Sequence, residues 1–426
     1  MGQHLDAVTL DPTGRDVYAE IEKLRGRGPA VPVVLPGAVR AWSVTGHEHV
    51  RALLADPRVS KDPHQHWRDW REGRVPRDWP LANFVSLRNM FTAYGPEHGR
   101  LRRIVSAAFL PRRVQALRPR VEQVTADLIV RLAAKPASEV VDLRAELASP
   151  LPISVIAQLF GLRRAGWTTL RECVDNLFQT TVSSEHAARD RARLDVLLRE
   201  MVEEKRREPA DDLTSTLLHG APAEGDQPLS DEELHDTLLL MLGAGFETTL
   251  NLVHNLVLAL LTHPEQRELV RVGVASWSDA VEEALRWAPP VPHVLLRYAV
   301  TDLDVGGTVI PEGDAIMVSY GGAGRDPDQH GDRPDVFDVL RPSRRGHLSF
   351  GHGAHFCVGA PLARMEAELA VSALFDRFPG IALAQPAAAL PPLGTFLVSG
   401  HAALPVFLHP AGGFGRPLPP LGPVRP

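Results

Sequence analysis

Apolar residues along this chain recur mostly at helical rather than alternating intervals. Leu101, Ile104, Val105, Ala108 and Phe109 follow the i, i+3, i+4, i+7, i+8 rule, which predicts a helix opened by Pro96 in its first turn and stopped by Pro111. His98 and Arg102 share one face of it. The same spacing predicts helices over about 117–134 and 191–207. Another follows Gly359, where Pro361 precedes Leu362, Met365, Leu369 and Val371, and runs to about Phe378. Strand patterning is confined to two stretches. Val31–Thr45 carries two apolar runs around Pro36-Gly37, a hairpin that offers Val33, Leu35, Val39, Ala41 and Val44 to a small sheet. Residues 293–320 are broken by Gly306-Gly307 and Pro311-Glu312-Gly313 turns. The predicted class is mainly α with small β-sheets.

The longest predicted helix begins at Ser230, which forms a capping box with Glu233, and continues to about Thr262 before Pro264. At ~1.5 Å per residue it spans roughly 48 Å, so it must cross the interior. From Leu238 to Leu261 it is apolar almost all round, except at Gly243-Ala244-Gly245-Phe246-Glu247-Thr248-Thr249. An interior glycine costs up to ~1 kcal/mol relative to alanine, and a carboxylate in an apolar helix costs more unless paired. Local rules fail there together, which marks the turn as a candidate for function.

Composition narrows the classes. With 426 residues and 44% hydrophobic content the chain can bury a large core, and no internal linker divides it. Residues 1–410 therefore read as one domain, followed by a Gly/Pro-rich tail over 411–426. A net charge of −6 argues against nucleic-acid binding. The N-terminus lacks the basic-then-apolar pattern of a signal peptide, and no uninterrupted apolar run reaches membrane-spanning length, so a cytoplasmic protein without a membrane partner is expected. Only Cys173 and Cys357 occur, too few for a disulfide framework or a cysteine-dominated zinc site.

Cys357 sits in Phe350-Gly351-His352-Gly353-Ala354-His355-Phe356-Cys357-Val358-Gly359, a glycine-punctuated loop just before a helix. The helix dipole and its free N–H groups favour a thiolate there, and the glycines let backbone approach a flat ligand. A buried structural cysteine is the plain alternative. A zinc site built from His352, His355 and Cys357 would need a fourth ligand, and Cys173 lies in a separate helical segment. The segment resembles the cysteine-ligand loop of the cytochrome P-450 family, F-G-x-G-x-H-x-C-x-G, at every fixed position. The resemblance implies the single-domain fold of that family, haem b with Cys357 as iron ligand, and the long helix crossing the haem pocket.

Other segments are similar to the family in turn. Glu283-Ala284-Leu285-Arg286, on a short helix started by Ser278 and stopped by Pro289-Pro290, resembles its structural E-x-x-R, with Arg341 in Phe337–Arg341 as the implied third member. His98 and Arg102, Arg297, and His355 match its haem-propionate contacts, and Phe350, Gly351 and Gly359 match its loop around the cofactor. Ala244, Gly245, Glu247, Thr248 and Thr249 match its oxygen-activation signature A-G-x-[DE]-T-[TS]; the small residues open a groove beside the iron, Ala244 against the cofactor. Thr248 is then the donor to bound dioxygen and Glu247 the proton relay, the two catalytic residues. A helix-packing glycine pair with a satisfied acid is the plain alternative for this turn.

The resemblance covers essentially the whole chain and is nearest the actinomycete branch. It implies a monooxygenase inserting one oxygen atom from O2 into a bulky hydrophobic steroid, macrolide or other natural product, by hydroxylation or epoxidation. By family position, the pocket walls are 62–91, 178–182, 240–248, 291–296 and 395–397. No nicotinamide or flavin fingerprint is evident, so electrons are expected from a ferredoxin and its reductase, steered to Arg103, Arg112, Arg113, Arg344 and Arg345. Two other functions stay open: a peroxide-using or oxidative-coupling enzyme on the same haem, and a non-catalytic haem protein that binds a ligand.

Overall fold

The structure is a computed structural model that describes residues 6–76, 79, 81–82, 85–175, 184–220 and 226–410. The tail over 411–426 and the pocket segment 178–182 lie outside the described residues. Helices dominate, and the strands form small sheets. The largest sheet runs in the order Val8–Thr9, Val31–Leu35, Val39–Val44, Ala315–Ser319, His293–Ala299, Val59–Ser60. Its hairpin pairs Val31 with Ser43 and Leu35 with Val39, which places Val33, Leu35, Val39 and Ala41 in the core as the alternation requires.

The long helix spans Asp231–Thr262, and its capping box forms as expected: the Ser230 hydroxyl accepts from the Glu233 N–H while the Glu233 carboxylate accepts from the Ser230 N–H. Every residue from Leu250 to Leu260 is buried. The helix packs against Pro150–Leu159, Trp277–Trp287 and Ala360–Arg377, and the largest apolar core forms around it. Each fully buried leucine there contributes about 1.5–3 kcal/mol. Among the described residues this is the one helix long and apolar enough to cross a membrane, yet 72% of its most apolar window is buried in protein, as a core helix requires.

The structure refines several boundaries of the sequence reading. The helix Gly95–Ser106 and a short turn do end before Pro111, which in addition opens a new helix, Pro111–Ala116, because proline lacks only an N–H that a first turn leaves unpaired anyway. The E-x-x-R helix, Trp277–Trp287, is capped by Ser276 rather than Ser278, with Asp279 completing the box. The helix expected over 191–207 begins at Ser184.

Glu283 and Arg286 are fully buried and joined by two bonds of 2.6 and 2.7 Å. Arg286 also donates to the carbonyls of Gly324, Pro334 and Val336. Arg341 does join them, with Nε 3.5 Å from Glu283 and its other nitrogens on the carbonyls of His330, Arg333 and Val336. The planar forks thus tie the helix to the chain leading into the cysteine loop.

Candidate functional site

Backbone bonds close the cysteine loop: the Cys357 N–H donates to Phe350 O at 2.8 Å and the Gly351 N–H to Leu348 O at 2.8 Å. Gly351 and Gly353 hold positive φ, and a Cβ on Gly353 would stand 2.6 Å from the Leu54 carbonyl oxygen, so both positions exclude other residues. The helix Ala360–Arg377 begins three residues after the cysteine. Burial pushes the Cys357 thiol up, while the Gly359 and Ala360 N–H groups, Arg102 and Arg364 pull it down. Burial prevails in the isolated chain; a coordinated metal ion deprotonates such a thiol outright. Phe350 packs beneath the Arg364 guanidinium, 4.4 Å from its ring centre.

The anomalous turn of the long helix divides its work. Ala244 is exposed although Gly243, Phe246 and Glu247 beside it are buried, so its side faces open space inside the protein. Gly245 answers a different need. A Cβ there would lie 2.9 Å from Ile156 Cδ1, the tip of a flexible side chain, so this glycine lies against the helix Pro150–Leu159. Thr248 is partly exposed, and its hydroxyl donates to the Ala244 carbonyl at 2.5 Å, leaving its oxygen able to accept from a further donor. The Glu247 carboxylate is buried, 3.3 Å from Arg144 Nη2 and 2.7 Å from Asn251 Nδ2; Arg144 also donates to Asn251 Oδ1 at 2.8 Å.

His98, Arg102, Arg297 and His355 converge. The His98 and His355 rings lie 4.0 Å apart, Arg102 reaches the Phe356 carbonyl at 2.5 Å, and both Arg102 and Arg297 act electrostatically on His355. Desolvation lowers the pKa of both imidazoles, and the neighbouring cations lower them further. Two buried atoms here, His98 Nε2 and Arg297 Nη1, have no hydrogen-bond partner among the described residues. A flat group bearing carboxylates fits this set: a half-buried sulfur before a helix, a helix face left bare in the interior, and orphaned donors among unpaired cations. His352, His355 and Cys357 do not gather as a metal site; among the described residues no group of three such ligands does.

Sequence reasoning missed Arg144, Asn251 and Lys61. Asn251 stands one turn after Glu247 on the same face, a spacing that could have shown it. Arg144 and Lys61 reach the site from distant segments and carry no local signature.

The family model for cytochrome P450 matches residues 40–275 and 278–384. A 2-hydroxy-5-methyl-1-naphthoate 7-hydroxylase from Streptomyces carzinostaticus is 40% identical over 399 residues, 94% of this chain and 97% of that relative. The solved structure of CYP154A1 from Streptomyces coelicolor A3(2) is similar with TM-score 0.88 and 49% identity, covering 95% of this chain and 100% of the other. Testosterone-bound CYP154C4 from Streptomyces sp. ATCC 11861 gives 0.90 and 44%, covering 95% and 98%. The chain therefore belongs to the cytochrome P450 family, in its actinomycete branch, and is a monooxygenase with haem b as cofactor and O2 as cosubstrate.

Proposed function

We propose that this monooxygenase hydroxylates or epoxidises a bulky hydrophobic natural product, such as a steroid or macrolide, with Cys357 as the iron ligand and a ferredoxin with its reductase as electron source. The observation that carries the reading is the interior face left bare at Ala244 and Thr248 in the middle of a helix whose neighbouring residues Met241–Gly243, Phe246, Glu247 and Thr249–Leu260 are buried, together with a half-buried Cys357 backed by helix N–H groups. When bound, the haem supplies the oxygen activation and the oxidation of the substrate.

The chain supplies position and protons. His98, Arg102, Arg297 and His355 hold the cofactor's carboxylates, and Phe350, Gly351 and Gly359 shape the loop beneath it. Arg144 and Asn251 keep Glu247 off the open face until it turns to deliver a proton, and the Thr248 oxygen holds the acceptor end of that network. The apolar segments 240–248 and 291–296 favour an apolar substrate; the similar naphthoate hydroxylase and the testosterone complex fall in the same chemical range.

The arginine face expected to receive the ferredoxin is partly neutralised. Arg103 is paired with Asp226, Arg344 and Arg345 both lie on Asp279, and Arg113 donates to Thr216. Arg112 is exposed. Steering by this face is therefore modest, and electron transfer should weaken only mildly as salt rises.

The test is the carbon-monoxide difference spectrum of the reduced protein. The wild type should show the red-shifted Soret band of a thiolate ligand and Cys357→His should lose it while Cys173→Ser keeps it. An unchanged spectrum in Cys357→His would overturn the ligand. Turnover with ferredoxin set against turnover with peroxide then separates the monooxygenase from a peroxide-using enzyme.

A further inference from the structure

Lys61 directly follows the strand Val59–Ser60, and only 2% of its surface is exposed. Its ammonium makes one hydrogen bond, to Leu295 O at 3.2 Å, and stands 3.6 Å from the centre of the Phe91 ring. Neither carries a negative charge. Arg297 lies on the neighbouring strand, which pairs with Val59–Ser60 through Tyr298 and Ala299, and it repels Lys61. Lys61, Arg297 and Arg102 all act on His355, so three cations surround one imidazole. Among the described residues none of the three is paired with a carboxylate. Asp62, next in sequence, spends its oxygens on the His64 and Gln65 N–H groups and the Gln65 amide.

A buried ammonium with one carbonyl and one ring for company is under-compensated. Burial and Arg297 drive its pKa well below the ordinary lysine value, the direction expected where the counterion is missing from the chain. Its two contacts, Leu295 and Phe91, belong to segments that form the pocket walls by family position. Haem brings two carboxylates, and Arg102 and Arg297 are already present to receive them. Lys61 is the third cation.

We propose that Lys61 binds a carboxylate at the edge of the haem pocket, adding a positioning residue that serves either a haem carboxylate or the carboxylate of an acidic substrate. This rests on the haem-thiolate reading, so the carbon-monoxide spectrum of the wild type comes first; its failure would remove that reading and is distinguishable from a failure at Lys61. Haem-loaded wild type, Lys61→Met and Lys61→Arg are then compared in two measurements. In the first, haem transfer to excess apomyoglobin is timed; loss at least tenfold faster in Lys61→Met and near-normal in Lys61→Arg assigns a haem carboxylate. In the second, Soret titrations with 2-naphthoic acid and its uncharged amide are compared. A preference for the acid that falls at least tenfold in Lys61→Met assigns the substrate. Methionine keeps the stem that packs on Phe91, and Lys61→Gln replaces it in both measurements if haem-loaded Lys61→Met is not recovered. If neither haem loss nor the acid-to-amide ratio changes, Lys61 binds no carboxylate and the proposal is overturned.

Discussion

The cluster of Glu283, Arg286 and Arg341 and the cluster of Lys61, Arg102 and Arg297 are both buried or half-buried and both rich in cations. They differ in where the charge ends. In the first, one carboxylate and the carbonyls of Gly324, His330, Arg333, Pro334 and Val336 receive the guanidinium groups, Arg341 Nε has only its 3.5 Å ion pair with Glu283, and the charge is met within the chain. In the second, no carboxylate is paired with any member among the described residues, and Arg297 Nη1 has no partner. A closed network can serve only the scaffold, since nothing outside it is needed. An open one is costly until an anion arrives, and so points to a bound group. Burial does not separate the two kinds; partner accounting does.

The sharpest way to break this comparison is Glu283→Gln. It leaves Arg286 charged and fully enclosed, a loss of about 3–5 kcal/mol, so soluble yield and the thermal midpoint should fall steeply. A normal midpoint would mean that the closed cluster is not a scaffold. Between the two extremes stands Glu247, paired by Arg144 yet beside the open face. Thr248→Ala should keep haem and substrate-induced Soret shifts but lower product formation about 10²- to 10⁴-fold, with hydrogen peroxide released instead, measured per NAD(P)H consumed. Full coupling there would mean that another residue or the substrate holds the proton.

Arg297→Met tests the open cluster directly. If Arg297 donates to the cofactor as proposed, removing it should cost about 1.5–3 kcal/mol of haem binding, read as roughly tenfold or faster haem transfer, with no loss of stability in the haem-free chain. A destabilised haem-free chain would place Arg297 with the closed kind. A pH-dependent test concerns Glu366, buried on the helix after the cysteine with Oε2 unpartnered and its pKa pushed by burial to about 8. The unfolded chain ionises this acid near its ordinary value, and the folded chain only near 8. Stability is therefore complete below the ordinary value and declines as pH rises through that window. Glu366→Gln should remove the decline, so it stabilises the protein more at pH 8 than at pH 5. Denaturant melts at the two pH values check it; an equal difference at both would rule out titration.

Legibility in the sequence tracks contact range. The capping box at Ser230 and Glu233, the hairpin around Pro36-Gly37 and the glycine loop before Cys357 are set by neighbours a few residues away, and each is legible in the local pattern. Arg144 reaches Glu247 across 103 positions and Lys61 meets Leu295 across 234, so neither pairing leaves a mark there. The stop assigned to Pro111 holds for the helix before it, but the new helix that Pro111 opens is not legible there, since proline marks an end from outside a helix and a start from inside it. The motif assigns Gly245 to opening space beside the cofactor and is silent on its neighbour in space, Ile156, nearly ninety positions earlier.

That glycine has a consequence for how such a pocket can diversify. Ala244 and Gly245 are consecutive, yet one looks into the cavity and the other into a neighbouring helix. A larger side chain at 244 would reshape the space offered to a guest and leave the helices where they are. A small side chain at 245 would ask only the tip of Ile156 to turn aside, whereas a large one would press on the helix Pro150–Leu159. Size at 244 is therefore read by a guest and size at 245 by the packing of two helices, so a library varied at 244 alone separates selectivity from stability.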